Sequence, residues 1–115
     1  MPQELFASLV RSTGDIAGVF EYDGATGYFY VYRVAGDEDA KVLDALPIVS
    51  GEAPFTQADI SIRWDNLETK VALFIRNVMW ALFDCSSGQK FGGRYETNGS
   101  PDIPPNIPFI APLLQ

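Results

Sequence analysis

Residues 59–84, DISIRWDNLETKVALFIRNVMWALFD, constrain what this chain can fold into more than any other stretch. Asp59-Ile60-Ser61-Ile62-Arg63-Trp64 alternates polar and apolar residues. A period of two places the apolar set on one face of a half-buried strand. A polar turn, Asp65 to Thr69, leads into an apolar run from Lys70 to Asp84. That run fits two periods. Val71, Phe74, Ile75, Val78, Met79 and Leu82 fall at helical spacing, but a helix would turn Leu73 and Trp80 toward the polar side with Lys70 and Asn77. A hairpin breaks at Arg76-Asn77, the polar pair inside the run. Val71, Leu73 and Ile75 then share one face, and Met79, Ala81 and Phe83 share one face of the return strand. Asparagine tolerates the left-handed backbone that tight hairpin turns need. The hairpin is the better reading, with the helix as its alternative.

The rest of the chain supplies further strand signals. Ile16–Tyr22 and Tyr28–Val34 flank the glycine-containing turn Asp23-Gly24-Ala25-Thr26-Gly27 and read as a second hairpin. Val42–Val49 is another strand. Pro47 lies within it and cannot donate to a ladder, so this strand belongs at an edge or breaks there. Phe91–Glu96 forms a short last strand. Gln3–Ser12 reads as a short amphipathic helix with Leu5, Phe6, Leu9 and Val10 on one side; an edge strand is the alternative. The expected fold is therefore mainly β: an antiparallel meander of about six short strands, rolled into a partly closed barrel or a small sandwich. Residues 1–100 read as a single β-rich domain. Residues 101–115 form a tail with five prolines and one charge, Asp102. Ile103, Ile107, Phe109, Ile110, Leu113 and Leu114 make it too apolar for a solvated linker, so it should dock in extended form on the domain or on a partner chain.

Charge and missing residue types narrow the function. The net charge is −7, and there is no histidine. Nucleic-acid binding draws its affinity from basic groups that neutralise phosphates, so neither nucleic acid nor an anionic membrane surface is expected as a partner. Lack of histidine removes the commonest general base, the commonest metal ligand and the usual partner of a nucleophilic Ser or Cys. Cys85 is the single cysteine, which excludes an intrachain disulfide and a cysteine-rich zinc site. No cofactor or metal is expected, and no enzymatic activity. The start MPQELFASLV lacks the basic region and apolar core of a signal peptide, and no apolar stretch reaches the roughly 20 residues that span a bilayer. A cytoplasmic location is the expectation.

Three groups of residues could carry binding. Tyr28, Tyr30 and Tyr32 share one strand face, with Phe29 and Val31 on the other, and Phe20 and Tyr22 lie on the preceding strand. Such aromatics often just pack a sheet face, yet tyrosine is enriched where proteins meet. Asp37, Glu38 and Asp39 are the densest acidic group. Asp37, Asp39 and Asp44 do not fit the spacing of a calcium loop; a solvated connection is the first reading and a contact for a basic protein the second. Phe109 is the third candidate, through docking of the tail or a homodimer that the tail bridges. Trp64 and Trp80 fill the core, and Gly92-Gly93 lacks the setting of a phosphate loop.

The succession TKVALFIRNVMWALFD followed by FGGRY at 91–95 resembles a small bacterial domain family of unknown function. The likeness covers about residues 59–95 and implies the meander without any activity. The leading expectation is a non-enzymatic acidic domain that binds another protein, of an accessory, inhibitor or immunity type. A β-barrel-like module for a small apolar ligand is the alternative, and an enzyme with paired carboxylates comes third.

Overall fold

The computed structural model describes residues 4–34, 41–97 and 99–109. Eight strands are found among them: β1 (Leu5–Val10), β2 (Ile16–Tyr22), β3 (Thr26–Arg33), β4 (Lys41–Ser50), β5 (Ile60–Trp64), β6 (Lys70–Ile75), β7 (Val78–Asp84) and β8 (Gln89–Gly92). They form two antiparallel sheets, ordered β1-β2-β3-β4 and β5-β6-β7-β8. The two meanders pack face to face and do not close into a barrel. The sole helical element among the described residues is a single 3₁₀ turn, Gln57–Asp59, ahead of β5.

The hairpin reading of residues 70–84 holds. Arg76 and Asn77 both take positive φ, 53° and 68°, as a tight turn matched to strand twist demands. Val71, Leu73 and Ile75 are all buried. One detail differs from the simple alternation. Phe74 pairs with Met79 and Leu73 with Ala81, so Trp80 is an extra residue in β7. This bulge turns Met79 to the outer face with Phe74, while Ala81 and Phe83 face the core. Trp80 is buried beside them.

The amino-terminal segment is a strand and not a helix. Leu5 pairs with Tyr22 and Val10 with Ala17, which buries Leu5 and half-buries Ala7. Distant side chains tie down the free edge of β1. The Gln57 amide donates to the Phe6 carbonyl (2.7 Å) and accepts from the Phe6 N–H (3.1 Å). The Trp64 indole N–H donates to the Leu9 carbonyl at 2.9 Å. These ties supply backbone partners that a short local sequence cannot, and they also blunt an edge that would otherwise invite pairing.

β4 is an edge strand, as Pro47 requires. Register shifts opposite Gly27/Tyr28 and Val31/Tyr32 leave Ile48 and Leu43 as extra residues. Two bulges in one edge strand bend and twist it. The Tyr95 N–H donates to the Ile48 carbonyl at 2.7 Å, and Lys90 pairs with Asp44 at 2.8 Å, so β8 and the segment after it hold the second sheet against β4.

One apolar core lies between the sheets. Phe20, Phe29, Ile48, Val71, Leu73 and Phe83 are its buried centre, and Phe29 meets Phe83 at 5.2 Å between ring centroids. At one end Phe20, Phe55, Tyr95 and Trp80 form a chain of ring contacts. The sheets approach closely at Gly18: a Cβ there would lie 2.5 Å from Val71 Cγ2. Gly92 has another constraint. Its φ is +83° and a Cβ would meet the Trp80 carbonyl oxygen at 2.1 Å, so the Gly92-Gly93 pair lets the chain pass over the bulge.

Candidate functional site

Pairing register sorts the first sheet into two faces. Phe6, Glu21, Tyr28 and Pro47 line up across the four strands on the outside. Ser8, Val19, Tyr30 and Ala45 form the next row, then Val10, Ala17, Tyr32 and Val42. Leu5, Ala7, Gly18, Phe20, Tyr22, Phe29 and Val31 point the other way, into the core. The three tyrosines of β3 are thus brought onto one outer face. Phe20 and Tyr22 are not: Tyr22 is buried, donates its hydroxyl to the Gly51 carbonyl at 2.7 Å and accepts from the Ala53 N–H.

This outer face is unusually apolar for a face that meets solvent. Phe6 is 55% exposed, Val42 51% and Tyr28 45%. Exposed apolar surface that is contiguous, in contrast to scattered single residues, is a mark of contact sites. The second sheet differs. Its outer face carries Phe74, Ala72 and Leu82, and the carboxy-terminal segment runs against it. The Gly92 N–H donates to the Asp102 carbonyl at 3.0 Å, and the Phe109 ring meets Phe74 at 6.0 Å. Arg63 lies over the same Phe74 ring at 4.6 Å. Phe109 therefore sits on the far side of the sandwich from the tyrosines and belongs to a different surface. Ile110–Gln115 lie outside the described residues, as do Asp37, Glu38 and Asp39.

A shallow open groove of about 740 Å³ runs over the tyrosine face at the Phe6 end. Phe6, Tyr28, Tyr30, Val42 and Ala45 form its apolar part; Glu4, Glu21, Asp23 and Gln57 its polar part. Among the described residues no basic side chain lines it. The Tyr30 hydroxyl donates to the Glu21 carboxylate, and its ring meets Tyr32 edge-on at 6.3 Å. Burial, and then the Glu21 hydrogen bond, raise the Tyr30 phenol well above its ordinary value. Asp23 accepts from the Thr26 and Ala25 N–H groups at 2.8 Å each, which lowers its carboxyl. Of the residues singled out from sequence, Tyr28 and Tyr30 line this groove; Phe6, Glu21 and Val42 line it too and were not singled out as binding candidates. The period-two pattern of residues 5–10 and the position of Glu21 between Phe20 and Tyr22 carried that signal.

Other candidates resolve into structural roles. Asp65 is buried, yet it accepts from the Thr69 and Lys70 N–H groups and lies 3.8 Å from the Lys70 ammonium. Asp59 pairs with Arg76 at 3.4 Å, and Asp84 accepts from Ser86 at the turn after β7. Cys85 is half-buried, and burial pushes its thiol up, away from the reactive thiolate. Among the described residues no group of His, Cys, Asp and Glu could hold a metal ion, and no helix is long and apolar enough to cross a membrane.

The chain belongs to DUF2251, described as an uncharacterized protein family conserved in bacteria, whose pattern matches residues 1–102. No curated protein and no solved structure matches the chain.

Proposed function

We propose that this protein is a non-enzymatic binding domain whose outer tyrosine face, on β1 to β4, docks another protein. One observation carries the reading: Phe6, Tyr28 and Val42 are each exposed on one sheet face and line one groove, while the opposite side of that sheet faces the core. A tyrosine supplies a large contact area with few torsions to immobilise and a hydroxyl for the partner's polar groups. The lack of histidine and of a metal-binding cluster among the described residues supports a binding role over catalysis. A shallow and open groove also suits a protein surface better than an apolar small molecule, which needs a cavity that encloses most of it.

The test uses the full chain with a photo-cross-linking residue at Tyr28 in bacterial lysate. A discrete adduct should form, and unlabelled protein should compete it away. A Tyr28→Ala/Val42→Asp variant should fail to compete while melting as the parent does. An identical adduct from a cross-linker at exposed Leu67 would refute the assignment of this face.

A further inference from the structure

We infer that the groove at the Phe6 end of this face recognises an arginine-bearing segment of the partner protein, an inference that rests on the docking face proposed above. Charge complementarity carries it. Glu4, Glu21 and Asp23 line the groove together with Tyr28 and Tyr30, and among the described residues no basic one joins them. Arginine matches both features with one side chain. Its guanidinium stacks on an aromatic face and at the same time donates to carboxylates in a planar fork. Tyr28 provides an exposed ring. Glu21 provides a carboxylate held in place by the Tyr30 hydroxyl, so part of its ordering cost is met before binding. Glu4, beside Leu5 at the start of β1, provides a second negative charge.

A second copy of the chain is the natural rival occupant. Isologous contact through this face would set the same acidic groove against itself, and like charges brought together oppose association. The net charge of −7 adds to that repulsion. A lysine would gain the charge attraction but not the stacked fork.

The experiment follows amide shifts of the ¹⁵N-labelled full chain on titration with a capped arginine tetrapeptide. Its citrulline counterpart, which keeps shape and loses charge, serves as the comparison, together with arginine amide alone. The arginine peptide should move the signals of Glu4, Phe6, Glu21 and Tyr28, and the citrulline peptide should not. Glu4→Gln/Glu21→Gln and Tyr28→Ala should each weaken binding by about tenfold, while Glu52→Gln leaves it unchanged. Equal binding of citrulline peptide, or shifts spread over acidic residues outside the groove, would overturn the inference. So would arginine amide binding as tightly as the peptide, since that assigns a small cation, or a dimer in sedimentation that Tyr28→Ala dissolves. If the cross-linker at Tyr28 captures a partner yet the arginine peptide leaves the groove unmoved, the arginine site fails and the docking face stands. If neither occurs, both fail.

Discussion

Gly18 sets how closely the two sheets approach, and Gly18→Ala tests that directly. An added Cβ would lie 2.5 Å from Val71 Cγ2 and 3.1 Å from Ile62 Cγ2. Carbon atoms in contact prefer about 3.5–4.0 Å, so one neighbour must retreat by about 1 Å. Both are core side chains packed among neighbours: Val71 is 0% exposed and Ile62 8%. Overpacking of this kind costs about 1–3 kcal/mol. Alanine restricts the unfolded chain and returns roughly 0.4–1 kcal/mol. The net expectation is a loss of about 1–2 kcal/mol, or roughly 3–10 °C in Tm for a chain of this size. Val71→Ala should by itself lose about 1.6 kcal/mol from two methyl groups, plus a cavity contribution. In the double variant the alanine at 18 fills space that Val71 vacates, so the two losses should fall short of their sum by about 1 kcal/mol. Urea unfolding followed by the fluorescence of Trp64 and Trp80 measures all four proteins, with a constant slope as the check on two-state behaviour. Strict additivity, or a Gly18→Ala protein more stable than the parent, would refute the close approach at this point.

Two further expectations concern charge and the carboxy-terminal segment. Hydrogen bonds lower several carboxyls in the folded state: Asp15 by Arg11 and Thr13, Glu68 by Ser12, and Asp44 by Lys90. A depressed folded pKa adds stability above the unfolded value of about 4 and loses it as pH falls through the folded one, so the urea midpoint should drop between about pH 5 and pH 2; a flat profile would contradict the pairing. Phe109→Ala removes the ring that meets Phe74 and should lower stability by about 1 kcal/mol and raise dye binding at the second sheet, whereas unchanged melting and dye binding would show the contact to be idle.

Local pattern carried much of the fold and less of the site. Period-two alternation in β3 and β5 and the polar pair at Arg76-Asn77 were enough to identify strands and a hairpin. The separation of Tyr28, Tyr30 and Tyr32 from Phe29 and Val31 was equally visible, because side chains on a strand must alternate. Gln3–Ser12 reads as a short helix with an edge strand as the alternative, and the alternative is what Leu5–Val10 form. Leu5, Phe6, Leu9 and Val10 fit a helical stripe as well as a strand, and the choice depends on β2, Gln57 and Trp64, which lie far along the chain. Bulges also escaped the sequence. The extra residue at Trp80 reverses the face of Met79, and no pattern within β7 announces it.

By itself, then, the sequence determined the element type wherever alternation is strict, and the edge placement of the Pro47 strand. Tertiary structure decided what those strands face. Stacking the two sheets at Gly18 and Val71 gave each sheet an inner side that must be apolar and an outer side that need not be. The segment around Phe109 then lies on Phe74 of the second sheet and leaves the tyrosine face of the first in solvent. Glu4 and Glu21 are 17 positions apart in sequence, and they meet in one groove because β1 pairs with β2. The physical reason is that alternation is a property of a few neighbouring residues, whereas the partner of a face is fixed by contacts between residues far apart in the chain.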